Sequence, residues 1–269
     1  MTGARLRGER VALAVAGGVL ALFLLVPLLA LLVAATPAEL GAGLRIPVVG
    51  PALRLSLITT LVTMVVVVAL GTPLAWSLAR SRHRVVRVIE VALQLPIVVP
   101  PAVAGVALLL AFGRRGFLAA WLGDGAGSVA FTTTAVVLAQ IFVSAPLYVQ
   151  AATSAFRRID ARVVTVARTL GASPLRVFGR IALPLAAPGL VAGAAMSWAR
   201  ALGEFGATLM FAGNLEGVTQ TLPLAINTTL ASDLRAAQAL SIVLVVVAFT
   251  LLVAVRMALR RPVDGGVPS

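Results

Sequence analysis

The sequence has no cysteine, no lysine, one histidine and only nine acidic residues among 269. Without cysteine there are no disulfides, no thiolate nucleophile and no cysteine-held metal. Without lysine there is no glycine-rich phosphate loop of the kind whose lysine grips a nucleotide, so the chain alone is no ATPase of that type. The single histidine, His83, lies inside Arg80-Ser81-Arg82-His83-Arg84. Metal ligands come in groups, so His83 reads as a solvated loop residue and no metal site is expected. The acids form no acid–base pair within an apolar run, and no nucleophile elbow occurs, so a non-catalytic chain is expected.

Apolar residues are what the sequence does have. Hydrophobic residues make up 60% and charged residues 12%, with a mean hydropathy of +1.06, which is far too apolar for a soluble domain. Uncharged runs recur at Val11 to Ala35, Leu55 to Ala79, Val91 to Gly113, Thr132 to Gln150, Ile181 to Ala199 and Ala236 to Val255. About 20 residues at 1.5 Å rise cross a bilayer core, where unsatisfied backbone groups force helix. The expected fold is an all-α membrane protein of about six transmembrane helices in one bundle. The first run follows Arg5, Arg7 and Arg10 as a secretory leader would. It exceeds the roughly 7 to 15 residues of a leader's apolar region, so it reads as an uncleaved helix.

All 22 basic residues are arginine. Arg5, Arg7, Arg10, Arg80, Arg82, Arg84, Arg87, Arg157, Arg158, Arg162, Arg168, Arg176, Arg180, Arg256, Arg260 and Arg261 fall on one side of the spans. Arg45, Arg54, Arg114, Arg115 and Arg235 fall on the other, with Arg200 near the fifth run. The positive-inside bias puts both termini in the cytoplasm. The net charge of +13 is therefore topogenic. It lacks the interleaved aromatics and recognition helix of a nucleic-acid surface.

Phe205 to Leu215 and Gly217 to Ser232 flank Glu216, and each is too short to span. A re-entrant or interfacial segment is expected, and irregular backbone at that depth lines a protein-enclosed cavity. Arg200, Glu204, Thr208, Asn214, Thr219, Gln220 and Thr221 are the candidate lining groups of a path or gate. Arg200 and Glu204, four apart on one helix face, favour a mutual ion pair over substrate contact. Pro96, Pro100 and Pro101 should kink the third run, as a packing kink or as a hinge and cavity wall.

The richest stretch runs over residues 154–184 and reads as helix, turn, helix. Val163, Val166, Ala167 and Leu170 recur at helical spacing, Gly171 is placed as a helix stop, and Ser173-Pro174 as an N-cap with proline at the first helical position. Val166, Leu170 and Phe178 would be exposed without a cover, which is either a partner groove or the membrane surface.

This stretch resembles the cytoplasmic coupling motif of binding-protein-dependent ABC importer permeases: Glu-Ala-Ala, three residues, Gly, nine residues, Ile, one residue, Leu-Pro. Thr165-Val166-Ala167 stands at the first triplet, and Gly171, Ile181, Leu183 and Pro184 match in type and spacing, with Leu170 and Ala172 beside the glycine. Thr165 and Val166 depart from the pattern, so any charge contact from the first position is missing while the docking shape is kept. Leu95-Pro96-Ile97-Val98-Val99-Pro100-Pro101, Gly113-Arg114-Arg115-Gly116, Leu202-Gly203-Glu204-Phe205-Gly206-Ala207-Thr208, Phe211-Ala212-Gly213-Asn214 and Thr219-Gln220-Thr221-Leu222-Pro223-Leu224-Ala225-Ile226 resemble the molybdate permease branch, which shares Gly-Glu-Phe-Gly with sulfate permeases.

The resemblance implies a type I importer permease fold over residues 54–253, preceded by residues 1–53 (tail, first helix and external loop) and followed by a cytoplasmic tail, 254–269. It further implies a homodimer in the inner membrane and two ABC ATPase subunits that bind ATP and Mg while this chain holds no cofactor. A periplasmic or lipid-anchored protein would deliver molybdate, or alternatively sulfate, thiosulfate or tungstate. A gradient-driven transporter or channel would need no docking loop and would favour inverted repeats, of which none is evident. A structural scaffold would carry no polar positions between Arg200 and Thr221.

Overall fold

The computed structural model describes residues 2–33, 36–81, 83–118 and 129–259. The tail beyond Leu259, with Arg260 and Arg261, lies outside them, as does Arg82. Every regular element among the described residues is helical: α1 (Thr2–Val33), α2 (Pro37–Leu44), α3 (Val49–Arg80), α4 (Arg84–Ala92), α5 (Leu95–Val98), α6 (Pro101–Phe112), α7 (Thr133–Arg157), α8 (Ala161–Thr169), α9 (Pro174–Val177), a π turn (Phe178–Ala182), α10 (Leu183–Leu202), α11 (Gly206–Ala212), α12 (Leu222–Leu230) and α13 (Leu234–Leu259). Five helices are long and apolar enough to cross a membrane, or six if the bent pair Arg84–Val98 and Pro101–Phe112 counts as one span.

Paired residues fix the helix directions. Thr63 meets Gln140 and Thr72 meets Tyr148, so α3 and α7 run parallel. Gly189 faces Ala155 and Gly193 faces Ala151, so α10 runs antiparallel to both. Cβ atoms at those two glycines would lie 2.5 and 2.7 Å from the alanine methyls, an approach that only small residues allow. Gln238 Nε2 donates to the Leu31 carbonyl at 3.2 Å, tying the far end of α1 to the start of α13. The apolar stretch of α1, Leu13–Val33, is otherwise unburied. One end of the bundle therefore carries the arginine-rich connections around α4, α8 and α9, and the opposite end carries α2, α11 and α12.

The centre of the bundle is a polar seam. Thr63 Oγ1 donates to Gln140 Oε1 at 3.0 Å, Gln140 Nε2 donates to Thr59 Oγ1 at 3.2 Å, and Thr59 donates on to the Leu55 carbonyl at 2.8 Å. Ser197 Oγ donates to the Ser144 carbonyl at 2.8 Å, and Ser56 Oγ accepts from the Leu222 amide at 2.8 Å. All these side chains are buried. Each finds a partner, as an apolar surrounding requires, and together they register α3, α7, α10 and α12.

The third run is no straight span. It breaks at Val99 and Pro100 into pieces bent by 116°. Val99 has the extended backbone that a following proline imposes (φ −67°, ψ 129°), and Pro101 restarts the helix at its first position. At 12 residues, α6 reaches only about 18 Å, short of the core thickness.

Candidate functional site

Two regions were singled out by sequence, the loop after α7 and the segment after α10. The loop is built by local capping. Asp160 Oδ1 accepts from the Arg162 amide at 2.8 Å and starts α8. Gly171, with φ +83°, ends it: the Ala172 amide bonds back to the Ala167 carbonyl at 3.0 Å and the Gly171 amide to the Arg168 carbonyl at 3.1 Å, in a glycine-dependent C-cap. Ser173 Oγ then accepts from the Arg176 amide at 3.3 Å and starts α9. Val164 and Val177 point inward and are buried, while Val163, Val166, Leu170 and Leu175 point out. Leu170 and Leu175 are each 82% exposed, so the turn forms an apolar tip with Thr165 exposed beside it.

Two expectations are corrected here. Phe178 does not belong to the exposed face. Its ring lies 5.7 Å from Trp76 and 6.3 Å from Phe156, within a cluster where Trp76 and Phe156 meet edge to face at 5.2 Å and the Arg80 guanidinium sits 4.9 Å over Trp76. The loop does not begin at residue 154, because α7 continues to Arg157. Of the other expected coupling residues, Ile181 stands in the π turn and Leu183 and Pro184 at the start of α10, with Leu183 packed on the core.

The segment after α10 is compact. Glu204, 1% exposed, uses both oxygens: Oε2 meets Arg200 Nη1 at 2.7 Å, and Oε1 accepts from the Ala207 amide at 2.8 Å at the start of α11. The two expected partners are thus paired, and the carboxylate also serves an otherwise orphaned helix donor. Thr208, Thr219 and Thr221 are buried, and Thr219 Oγ1 accepts from the Leu215 amide at 2.9 Å. Asn214 Nδ2 donates to Thr228 Oγ1 at 2.7 Å. Among the seven candidates only Arg200 and Asn214 are not buried, and Arg200, Glu204, Asn214 and Thr219 make side-chain bonds within this segment. The hydroxyls of Thr208 and Thr221 and the Asn214 Oδ1 and Gln220 Oε1 atoms have no hydrogen-bond partner among the described residues.

α11 lies directly on α6. A Cβ on Gly105 would lie 2.5 Å from Met210 Cβ and 2.8 Å from the Ala207 carbonyl, and one on Gly206 would lie 2.6 Å from Pro101 Cβ. The two short helices form one unit at the arginine-poor end. Phe131, with φ +62°, closes it: its amide donates to the Phe211 carbonyl at 3.3 Å and its ring covers Gly213. Sequence reasoning missed Phe131 and the polar seam. Gln140 inside an apolar run was the available signal. No group of three or more metal-ligating side chains occurs among the described residues.

A six-pass bundle with a broken third span, a capped apolar tip at one end and a braced short-helix unit at the other has the architecture of an ABC importer permease. A chain of a bacterial alginate ABC transporter, solved in complex with an alginate pentasaccharide-bound periplasmic protein, aligns with TM-score 0.77 over 97% of both chains at 16% identity. An inward-facing methionine ABC transporter aligns with TM-score 0.65 over 79% of this chain and 95% of that one at 17% identity. The model of the binding-protein-dependent transport system inner membrane component family matches residues 71–264, and the chain belongs to that family. It is 46% identical over 241 residues, 90% of each chain, to the molybdenum transport system permease protein ModB of Mycobacterium tuberculosis. It is 43% identical over 159 residues to that of Escherichia coli K12, covering 59% of this chain and 69% of the relative. It is thus a multi-pass inner-membrane permease subunit, non-catalytic itself, of a class that works with separate ATPase subunits and a substrate-binding protein.

Proposed function

We propose that this chain is the pore subunit of an ATP-driven importer of molybdate, acting as a homodimer with two ATPase subunits. Molybdate is a tetrahedral dianion whose desolvation in bare hydrocarbon is prohibitive, so it needs an enclosed route that opens alternately to each side. The observation that carries the ATPase half of the reading is the tip: Val163, Val166, Leu170 and Leu175 exposed together on a loop fixed by two side-chain caps and a glycine stop. Such a patch on a rigid support matches a partner's groove. Nucleotide closure of the ATPase dimer moves the tip, and the brace of Arg200, Glu204 and α11 holds or releases the path. The substrate half rests on the relatives' common name.

The test is reconstitution in proteoliposomes with the cognate ATPase and binding protein, following radiolabelled molybdate. Uptake is expected only with ATP and all three components, and excess tungstate should compete better than sulfate. Uptake without the ATPase would overturn the coupling. Equal competition by sulfate would overturn the substrate assignment.

A further inference from the structure

Arg157 and Glu90 form a two-pronged ion pair across the arginine-rich end. Nη1 donates to Oε1 at 3.0 Å and Nη2 to Oε2 at 2.8 Å. Their side chains are 47% and 23% exposed, and pairs with this much access to water add little stability. Their position is the informative feature. Arg157 is the last residue of α7, three residues before the Asp160 cap that starts the docking helix. Glu90 lies on α4, the first piece of the broken span, whose last piece, α6, is in backbone contact with α11 through Gly105 and Gly206. No residue of α4 is buried, and the partly buried Val86 and Leu93 pack against the core beside the pair.

We infer that the Arg157–Glu90 pair is the link that passes displacement of the docking loop to the α6–α11 unit. The inference rests on the docking reading above. A planar guanidinium held at both nitrogens fixes orientation as well as distance, which a single-point contact would not. The broken span then acts as a bent lever, with Glu90 on its long arm, the Val99-Pro100 break as its elbow and the face against α11 as its short arm. α3, α10 and the part of α7 that carries Gln140 and Ser144, registered by the polar seam, provide the frame against which the lever turns. Arg157 and Glu90 are positioning residues, acting on the path only through the broken span that carries Glu90.

The experiment uses the full complex in proteoliposomes with Glu90→Gln, Arg157→Gln and the exchanged pair Glu90→Arg with Arg157→Glu, reading ATPase co-purification, ATP hydrolysis and substrate uptake. Each single variant is expected to keep the ATPase bound and hydrolysis within about twofold of the parent, while uptake per ATP falls at least about tenfold. The exchange should restore at least half of it. Unchanged uptake per ATP in the single variants overturns the inference, and so does an exchange that fails to rescue. Loss of the ATPase from the variants alone would make the pair a support of the docking loop and would also overturn it. A parent that retains no ATPase instead overturns the docking reading from which the inference follows.

Discussion

The buried carboxylate of Glu204 stands just ahead of α11. The four-residue spacing from Arg200 promised an ion pair, and the pair is there at 2.7 Å, but the same carboxylate also accepts from the Ala207 amide. Removing it should therefore cost more than an ion pair. Glu204→Ala leaves both the guanidinium and a helix-end donor unmatched, and an orphaned buried donor costs about 1–3 kcal/mol. Arg200, about a third exposed, recovers water and keeps the loss toward the lower end of that range. Glu204→Gln keeps a carbonyl oxygen for Ala207 and should lose about half as much. Thermal unfolding of the purified protein in detergent should rank parent above Gln above Ala. Equal loss in both variants would assign the effect to the ion pair alone, and no loss in either would remove the bracing role. Gln140 shows the limit of residue-level reading. It stood in an apolar run, but its partners Thr59 and Thr63 are 81 and 77 positions away, a pairing that no local pattern carries.

At the scale of elements, two glycines give opposite expectations from the same substitution type. Gly171 has φ +83° and nothing within 4 Å of a Cβ, so Ala there meets only backbone strain, about 1–2 kcal/mol. Gly171→Ala should keep the ATPase bound with reduced affinity. Gly171→Arg adds bulk at the tip and should abolish co-purification, and full retention of the complex by the Arg variant would remove the tip from the interface. Gly105 has an ordinary helical backbone but no room, since its Cβ would enter Met210 and the Ala207 carbonyl. Gly105→Val must push α6 from α11, an overpacking cost of about 1–3 kcal/mol. It should cut uptake while leaving the ATPase attached, as pull-down and transport assays on one preparation can show. The capping residues Ser173-Pro174 and Gly171 made the loop legible, because those signals act within a few residues. The Phe178 ring was not, since it turns away from the tip to reach Trp76, about a hundred residues earlier in the chain.

The whole molecule raises the question of which end faces the cytoplasm. Arginines crowd the end that carries α4, α8 and α9, and the positive-inside bias predicts that end to be cytoplasmic, where ATP would be available to a docked partner. Element count, helix directions and the bend in the third run were readable from run lengths, loop charges and Pro96, Pro100 and Pro101, while the frame of α3, α7 and α10 needed long-range contacts. The absence of cysteine makes the orientation directly measurable, because any introduced thiol is the only one. Ser232→Cys lies in the exposed turn between α12 and α13, and His83→Cys lies at the exposed start of α4. A membrane-impermeant maleimide should label Ser232→Cys in intact spheroplasts and His83→Cys only after permeabilisation. The reverse pattern would invert the topology and separate the tip from any cytoplasmic ATPase. Labelling of both from outside would break the span count. Leu175→Cys, on the 82% exposed tip, extends the test to the assembly: it should label after permeabilisation when the chain is expressed alone and be protected when the ATPase is co-expressed, because only a docked partner can cover that side chain.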